Sequence, residues 1–170
     1  MGCTIHSGDR EFGVPDEYPL EAAGCRIDEN GKKYIRVKGV RWYTNIDHGR
    51  RHNPLSLMSM ADNIKYSKHK DIQGKKYQHY DNYDAIEIPY TDAIPCDYEN
   101  LMGVPVTFLD KYCPEQFDII WQACGNTRAS APKEILDEVG YTIHPEDRGG
   151  CGVVNNKRQY ARILIRKKHL

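Results

Sequence analysis

The chain has 170 residues, 39% hydrophobic and 28% charged, enough for one ordinary domain with its own core and too few for two full-sized ones. Its 24 Lys and Arg balance 24 Asp and Glu. No apolar run nears the roughly 20 residues of a membrane helix, and the opening MGCTIHSGDREF has neither the basic head nor the apolar middle of a signal peptide. These features argue against wholesale disorder, a membrane partner and export, and point to a soluble cytoplasmic globule.

Met1-Gly2-Cys3 starts like an acylation signal, but His6 stands where Ser or Thr is required. Cys3, Cys25, Cys96, Cys113, Cys124 and Cys151 are scattered without a C-x-x-C pair, which disfavours zinc and suits reduced thiols. The zero net charge hides segregation. Residues 41–80 carry eight Lys or Arg against three acids, residues 81–118 carry nine acids against Lys111, and residues 148–170 carry seven Lys or Arg and no acid. Two basic blocks around an acidic one can build a basic face for a polyanion, although a solvated surface gives the same pattern.

In chain order, CRIDENGKKYIRVKGVRWYTNI predicts a hairpin about Asn30-Gly31. Its long second arm, Tyr34 to Ile46, runs through the middle of a sheet or bends at Gly39. The spacing of Leu57, Met58, Ala61 and Ile64 predicts an amphipathic helix over 54–65. The polar, Tyr- and Lys-rich stretch from Tyr66 reads as a long exposed loop, followed by a short strand in YDAIEIPY that stops at Pro89. PEQFDII begins like a helix, and SAPKEILDEVGY predicts another, capped by Ser130 and ended by Gly140. The closing GCGVVNNKRQYARILIRKKHL predicts a second hairpin about Asn155-Asn156. No strand, glycine-rich turn and helix occur in βαβ order, so these residues alone form no complete nucleotide-binding fold.

Asp47, His48 and His52 lie close together, but with no third ligand a turn cap is the simpler reading. Adjacent Arg50 and Arg51 present rigid donor forks suited to phosphates or a base edge. Trp42 and Tyr43 point to opposite faces of a strand, so one of them is a stacking candidate unless both faces are covered. No nucleophile elbow, Walker loop or H-E-x-x-H is present, and no catalytic residue is assigned.

The segments GVRWYTNIDHGRRHNPL, YDNYDAIEI, MGVPVTFLDKYCPEQF and RQYARILIRKK, in this order, resemble the C-terminal half of the EcoRI type of adenine-specific DNA methyltransferase. The resemblance implies an α/β fold, α+β as it stands: a partial methyltransferase-type sheet with antiparallel hairpins and a few short helices. It implies end strands of the sheet over residues 1–53, a DNA-facing target-recognition region over 54–118, a variable insertion over 119–156 and a closing strand with a basic tail over 157–170. Double-stranded DNA is the implied partner, with Trp42, Tyr43, Arg50, Arg51, Lys65, Lys68, Lys75 and Lys76 as candidate contacts.

The family moves a methyl group from S-adenosylmethionine to a flipped adenine. Its cofactor loop and its Asx-Pro-Pro-aromatic motif have no match here, since Leu55 and Ser56 follow Asn53-Pro54. The cofactor is therefore not expected to bind these residues alone, and a separately encoded catalytic half is one implied partner. The sequence leaves open a fragment, a subunit of a split enzyme, a stand-alone nucleic-acid-binding module or a remnant without function.

Overall fold

The computed structural model describes residues 3–21, 24–44, 47 and 49–168, with side chains at 9–21, 24–38, 47 and 49–168. Internal contacts divide it into two compact units, Met1–Asp47 and His48–Leu170.

The first unit is an antiparallel sheet of β1 (Cys3–Val14), β2 (Cys25–Ile27) and β3 (Lys33–Thr44) in the order β1-β3-β2. The expected hairpin is present, and its long arm is the central strand, as its β-branched and aromatic content implies. Its turn is wider than a two-residue Asn-Gly turn. The Asp28 carboxylate accepts from Asn30 N at 3.0 Å and Lys32 N at 2.8 Å, and of the two turn residues only Gly31 takes a positive φ, +79°. No local strand pattern marks β1 within the expected end strands, because Asp9, Arg10, Glu11 and two glycines, Gly8 and Gly13, dilute it. Lateral pairing accommodates those charges: Glu11 meets Arg26 at 2.7 Å and Asp9 meets Arg36 at 2.9 Å. The β1–β3 register shifts on either side of Gly8, opposite the region of Gly39, the position of the alternative bend.

In chain order the second unit carries α1 (Met60–Tyr66), β4 (Ala85–Glu87), β5 (Leu101–Pro105), β6 (Phe117–Ala123), α2 (Lys133–Glu138), β7 (Val153–Val154), β8 (Lys157–Arg158) and β9 (Arg162–Lys167). Its main sheet has the order β4-β5-β9-β6, with β4 parallel to β5 and β9 antiparallel to both of its neighbours. The fold is mixed α+β. Strand β9 buries three successive residues, which requires both sheet faces to be covered. Ile163 and Ile165 pack with Ile86, Met102, Val104, Phe108 and Phe117, whereas Leu164 packs on the opposite side with Tyr80, Tyr83, Ala85, Leu101 and Val139.

Several sequence expectations are corrected. PEQFDII is not a helix: Gln116 N and Phe117 N both donate to Cys113 O at 3.1 Å, closing a turn, and the chain then enters β6. The run of β-branched and aromatic residues Phe117 to Trp121 favours the strand. A one-residue bulge between Ile119 and Trp121 shifts the side-chain parity, so Phe117 faces the first core and Trp121 and Ala123 the second.

Helix α1 starts at Met60 instead of Pro54, because Ser59 caps it by accepting from Asp62 N at 3.0 Å. Leu55 is held extended by two hydrogen bonds to the Gln116 amide, at 2.7 and 2.9 Å. The stretch after Tyr66 is not wholly exposed: Ile72, Tyr80, Asn82 and Tyr83 are buried. Ser130 closes a 3-10 helix, Thr127–Ser130, instead of capping α2, and Gly140 ends that region with φ +60° as expected. Asn155 and Asn156 form the closing turn with φ 51° and 58°, but its second arm, β8, is short and β9 is a separate strand of the main sheet.

Candidate nucleic-acid interface

Arg50 and Arg51 stand on a 3-10 helix, Gly49–His52, whose last residue is tied down by His52 Nδ1 and Glu115 Oε1 at 2.7 Å. The Cys113 thiol donates to the other oxygen of Glu115 at 3.1 Å. Together, the thiol first and His52 second, they hold the Glu115 carboxyl at about 2. A carboxylate this acidic stays ionised and is no general base near neutral pH. His52 is thus placed structurally, while His48 lies outside the described residues. Among the described residues no three His, Cys, Asp or Glu converge on a metal-sized site.

From that helix the extended residues Asn53 to Ser56 border a hollow of about 280 Å³ whose other wall is Thr91, Asp92 and Lys111. Asp92 also borders a hollow of about 250 Å³ with Met58, Tyr66, Lys68 and His69. Burial raises the pKa of Asp92, but hydrogen bonds from His69 Nε2 at 2.9 Å and from Lys68 outweigh it and keep the group below its ordinary value. The His69 ring stacks on Tyr90 at 3.8 Å, and the Tyr90 hydroxyl donates to Asp71 at 2.9 Å.

Asp71 opens a third cleft, about 230 Å³, lined by Lys75, Lys76, Tyr77, Gln78, Pro89, Val154 and Gln159. Glu87 and Arg162 also line it, paired at 2.6 Å with side chains 10% and 11% exposed. The Tyr80 hydroxyl donates to Glu87 as well. Burial pushes Tyr80 well above its ordinary pKa. Burial works against the Arg162 charge, but the Glu87 carboxylate more than restores it.

Asp92 is shared by the first two hollows, and the stacked His69 and Tyr90 with Asp71 lead from the second towards the third. Arg50 and Arg51 precede the first, Lys68 lies beside the second, and Lys75 and Lys76 line the third. Lys65 projects from α1 with its ammonium 4.8 Å from the Tyr66 ring centroid. Lys68 faces Asp92 at 3.4 Å and Lys75 faces Asp71 at 4.0 Å, both at exposed side chains where such pairs are weak. Trp42 and Tyr43 belong to the first unit, where their backbones pair with Ile5 and Thr4; their side chains lie outside the described residues. Sequence reasoning passed over Tyr77, Gln78, Gln159 and Arg162. The acid-free block 148–170 was the available signal for the last two.

The link from β4 to parallel β5 holds a 3-10 helix, Thr91–Ala93, and no glycine-rich turn into an α-helix. The buried Glu87 carboxylate is engaged by Arg162 and Tyr80.

The model of the family described as adenine-specific methyltransferase EcoRI matches residues 1–168. The chain belongs to the EcoRI family of adenine-specific methyltransferases. It is 36% identical over 170 residues to the type II methyltransferase M.EcoRI of Escherichia coli, covering all of this chain and 43% of that protein. It is 33% identical over 174 residues to the type II methyltransferase M.MgeORF184P of Mycoplasma genitalium, covering all of this chain and 50% of that protein. M.MpnI of Mycoplasma pneumoniae, also a type II methyltransferase, is 27% identical over 143 residues, with 84% of this chain and 40% of that protein covered. The chain thus spans half or less of the length of these EcoRI-family relatives. No solved structure matches it.

Proposed function

We propose that these residues form the DNA-facing, target-recognition portion of an adenine-specific DNA methyltransferase of a restriction-modification or orphan methylation system. The observation that carries the reading is the family match across residues 1–168. The cations distributed beside three hollows of the second unit add to it. In this reading residues 54–118 supply most of the DNA-facing surface, with Arg50, Arg51, Lys65, Lys68, Lys75 and Lys76 meeting phosphates. Trp42 or Tyr43 lies near the flipped base. S-adenosylmethionine and the chemistry of transfer belong to a catalytic half whose cofactor loop and Asx-Pro-Pro-aromatic motif these residues lack.

Fluorescence anisotropy with a labelled duplex tests it. Six phosphate contacts predict that log K falls with log salt concentration with a slope of about −5, by counterion release. Undetectable binding to any duplex at low salt refutes the reading. Recovery of adenine methylation on adding a chain that carries the family's cofactor loop and Asx-Pro-Pro-aromatic motif supports the role of that partner.

A further inference from the structure

Tyr160 is the most exposed large side chain among the described hydrophobic residues, at 87%. A tyrosine ring left almost wholly in water adds nothing to the core, and its surroundings give it another use. It follows β8, on which Lys157 and Arg158 are exposed and form no ion pair among the described residues. Arg158, Gln159 and Tyr160 line a hollow of about 400 Å³. Gln159 is also a wall of the cleft that holds Lys75 and Lys76, so the two depressions adjoin.

The mounting is rigid. The buried Asn82 amide donates to Cys151 O and accepts from Val153 N, both at 2.9 Å, fixing the start of β7. Asn156 N donates to Asp81 at 2.8 Å, Asn155 donates to Gln78 at 3.1 Å, and Gln159 N donates to Gly152 O at 2.8 Å. The hairpin therefore presents a solvated ring and two cations from a frame held at its base, its turn and its exit.

We propose that the β7–β8 hairpin and Tyr160 form a contact for DNA with an unpaired base, resting on the DNA-binding reading above. The Tyr160 ring offers a stacking face to that base. Arg158 and Lys76 meet the flanking phosphates on either side of Gln159. Aromatic rings interleaved with cations are the chemistry that recognises an unstacked strand, because every base has a π-face and every nucleotide a charge.

The test compares anisotropy titrations of a single-stranded oligodeoxynucleotide and of a duplex containing one unopposed base. Tyr160→Ala is expected to weaken binding to both by about 5- to 150-fold, the range for one base-aromatic stack, with the salt slope unchanged. Tyr160→Phe keeps the ring and is expected to bind like the parent. Arg158→Ala is expected to flatten the salt slope by about one unit without changing base preference. Since Tyr160 is exposed, the variants should melt at the parental temperature, which keeps a folding defect apart from a lost contact. Parental affinity in Tyr160→Ala overturns this proposal while leaving the DNA-binding reading intact. Absence of binding by the unsubstituted protein overturns both.

Discussion

The pair Glu87 and Arg162 offers the sharpest test of how the second unit is held together. Both side chains are about a tenth exposed, with 2.6 Å between Glu87 Oε1 and Arg162 Nη2 and a further bond from Nε at 2.9 Å. The Tyr80 hydroxyl adds a third donor to the carboxylate. Replacing Glu87 with Met leaves a guanidinium in a poorly solvated place, which costs about 3–5 kcal/mol. Replacing Arg162 with Met strands the carboxylate and costs a similar amount. The double replacement removes both charges and leaves mainly the Tyr80 hydroxyl unsatisfied, about 1–3 kcal/mol. The single costs therefore should not add, and the coupling should exceed about 2 kcal/mol.

Urea unfolding followed by Trp121 emission in a Trp42→Phe background suits the measurement, because that indole packs against the second core of the same unit. With a slope of about 2 kcal/mol per molar urea, each single variant should lower the midpoint by about 1.5–2.5 M. The double variant should recover much of that loss. Additive single and double effects, or single effects below about 1 kcal/mol, would show that the pair is solvated and not part of the buried frame.

Two further outcomes follow from the same unit. Gly103→Ala would place a Cβ 2.7 Å from two Tyr80 ring carbons and should cost about 1–3 kcal/mol by overpacking; Gly49→Ala meets nothing within 4 Å and serves as the neutral control in the same melts. Glu115 titrates at about 2 against an ordinary 4.5. Its stabilisation is therefore full above about 4.5 and is lost as pH falls through about 2. Glu115→Gln should flatten the stability profile across that window, and an unchanged acid slope would contradict the Cys113 and His52 contacts.

The features that were legible in the sequence are those a single residue decides. Gly31 supplies the positive φ of its turn, Asn155 and Asn156 both tolerate the left-handed region, and Gly140 ends a short helical stretch. Helix starts were misplaced where the local signal met a competitor. Pro54 is acceptable in a first turn, yet Ser59 with Asp62 makes a better cap. Met60 N then donates to Asp97 at 2.7 Å, a partner far along the chain that no local window includes. PEQFDII failed similarly, since Pro and Glu suit a first helical turn while the run from Phe117 to Trp121 has strand character.

The candidate interface was half legible for a topological reason. Lys68, Lys75 and Lys76 stood out by local charge, but the cleft exists because β9 inserts between β5 and β6 and carries Arg162 beneath Glu87. No local pattern reports which strands β9 will join. The tyrosine-rich stretch looked like a solvated loop for a related reason, since each hydroxyl reads as polar while its ring can enter a core. Tyr80 and Tyr83 are buried because each hydroxyl finds an acceptor, Glu87 in one case and Gly150 O at 2.6 Å in the other. Tyr160 has the same side chain and lies 87% exposed. What separates these tyrosines is whether the fold brings an acceptor within reach, and the one whose ring it leaves in water lines the hollow adjoining the cleft, beside Arg158.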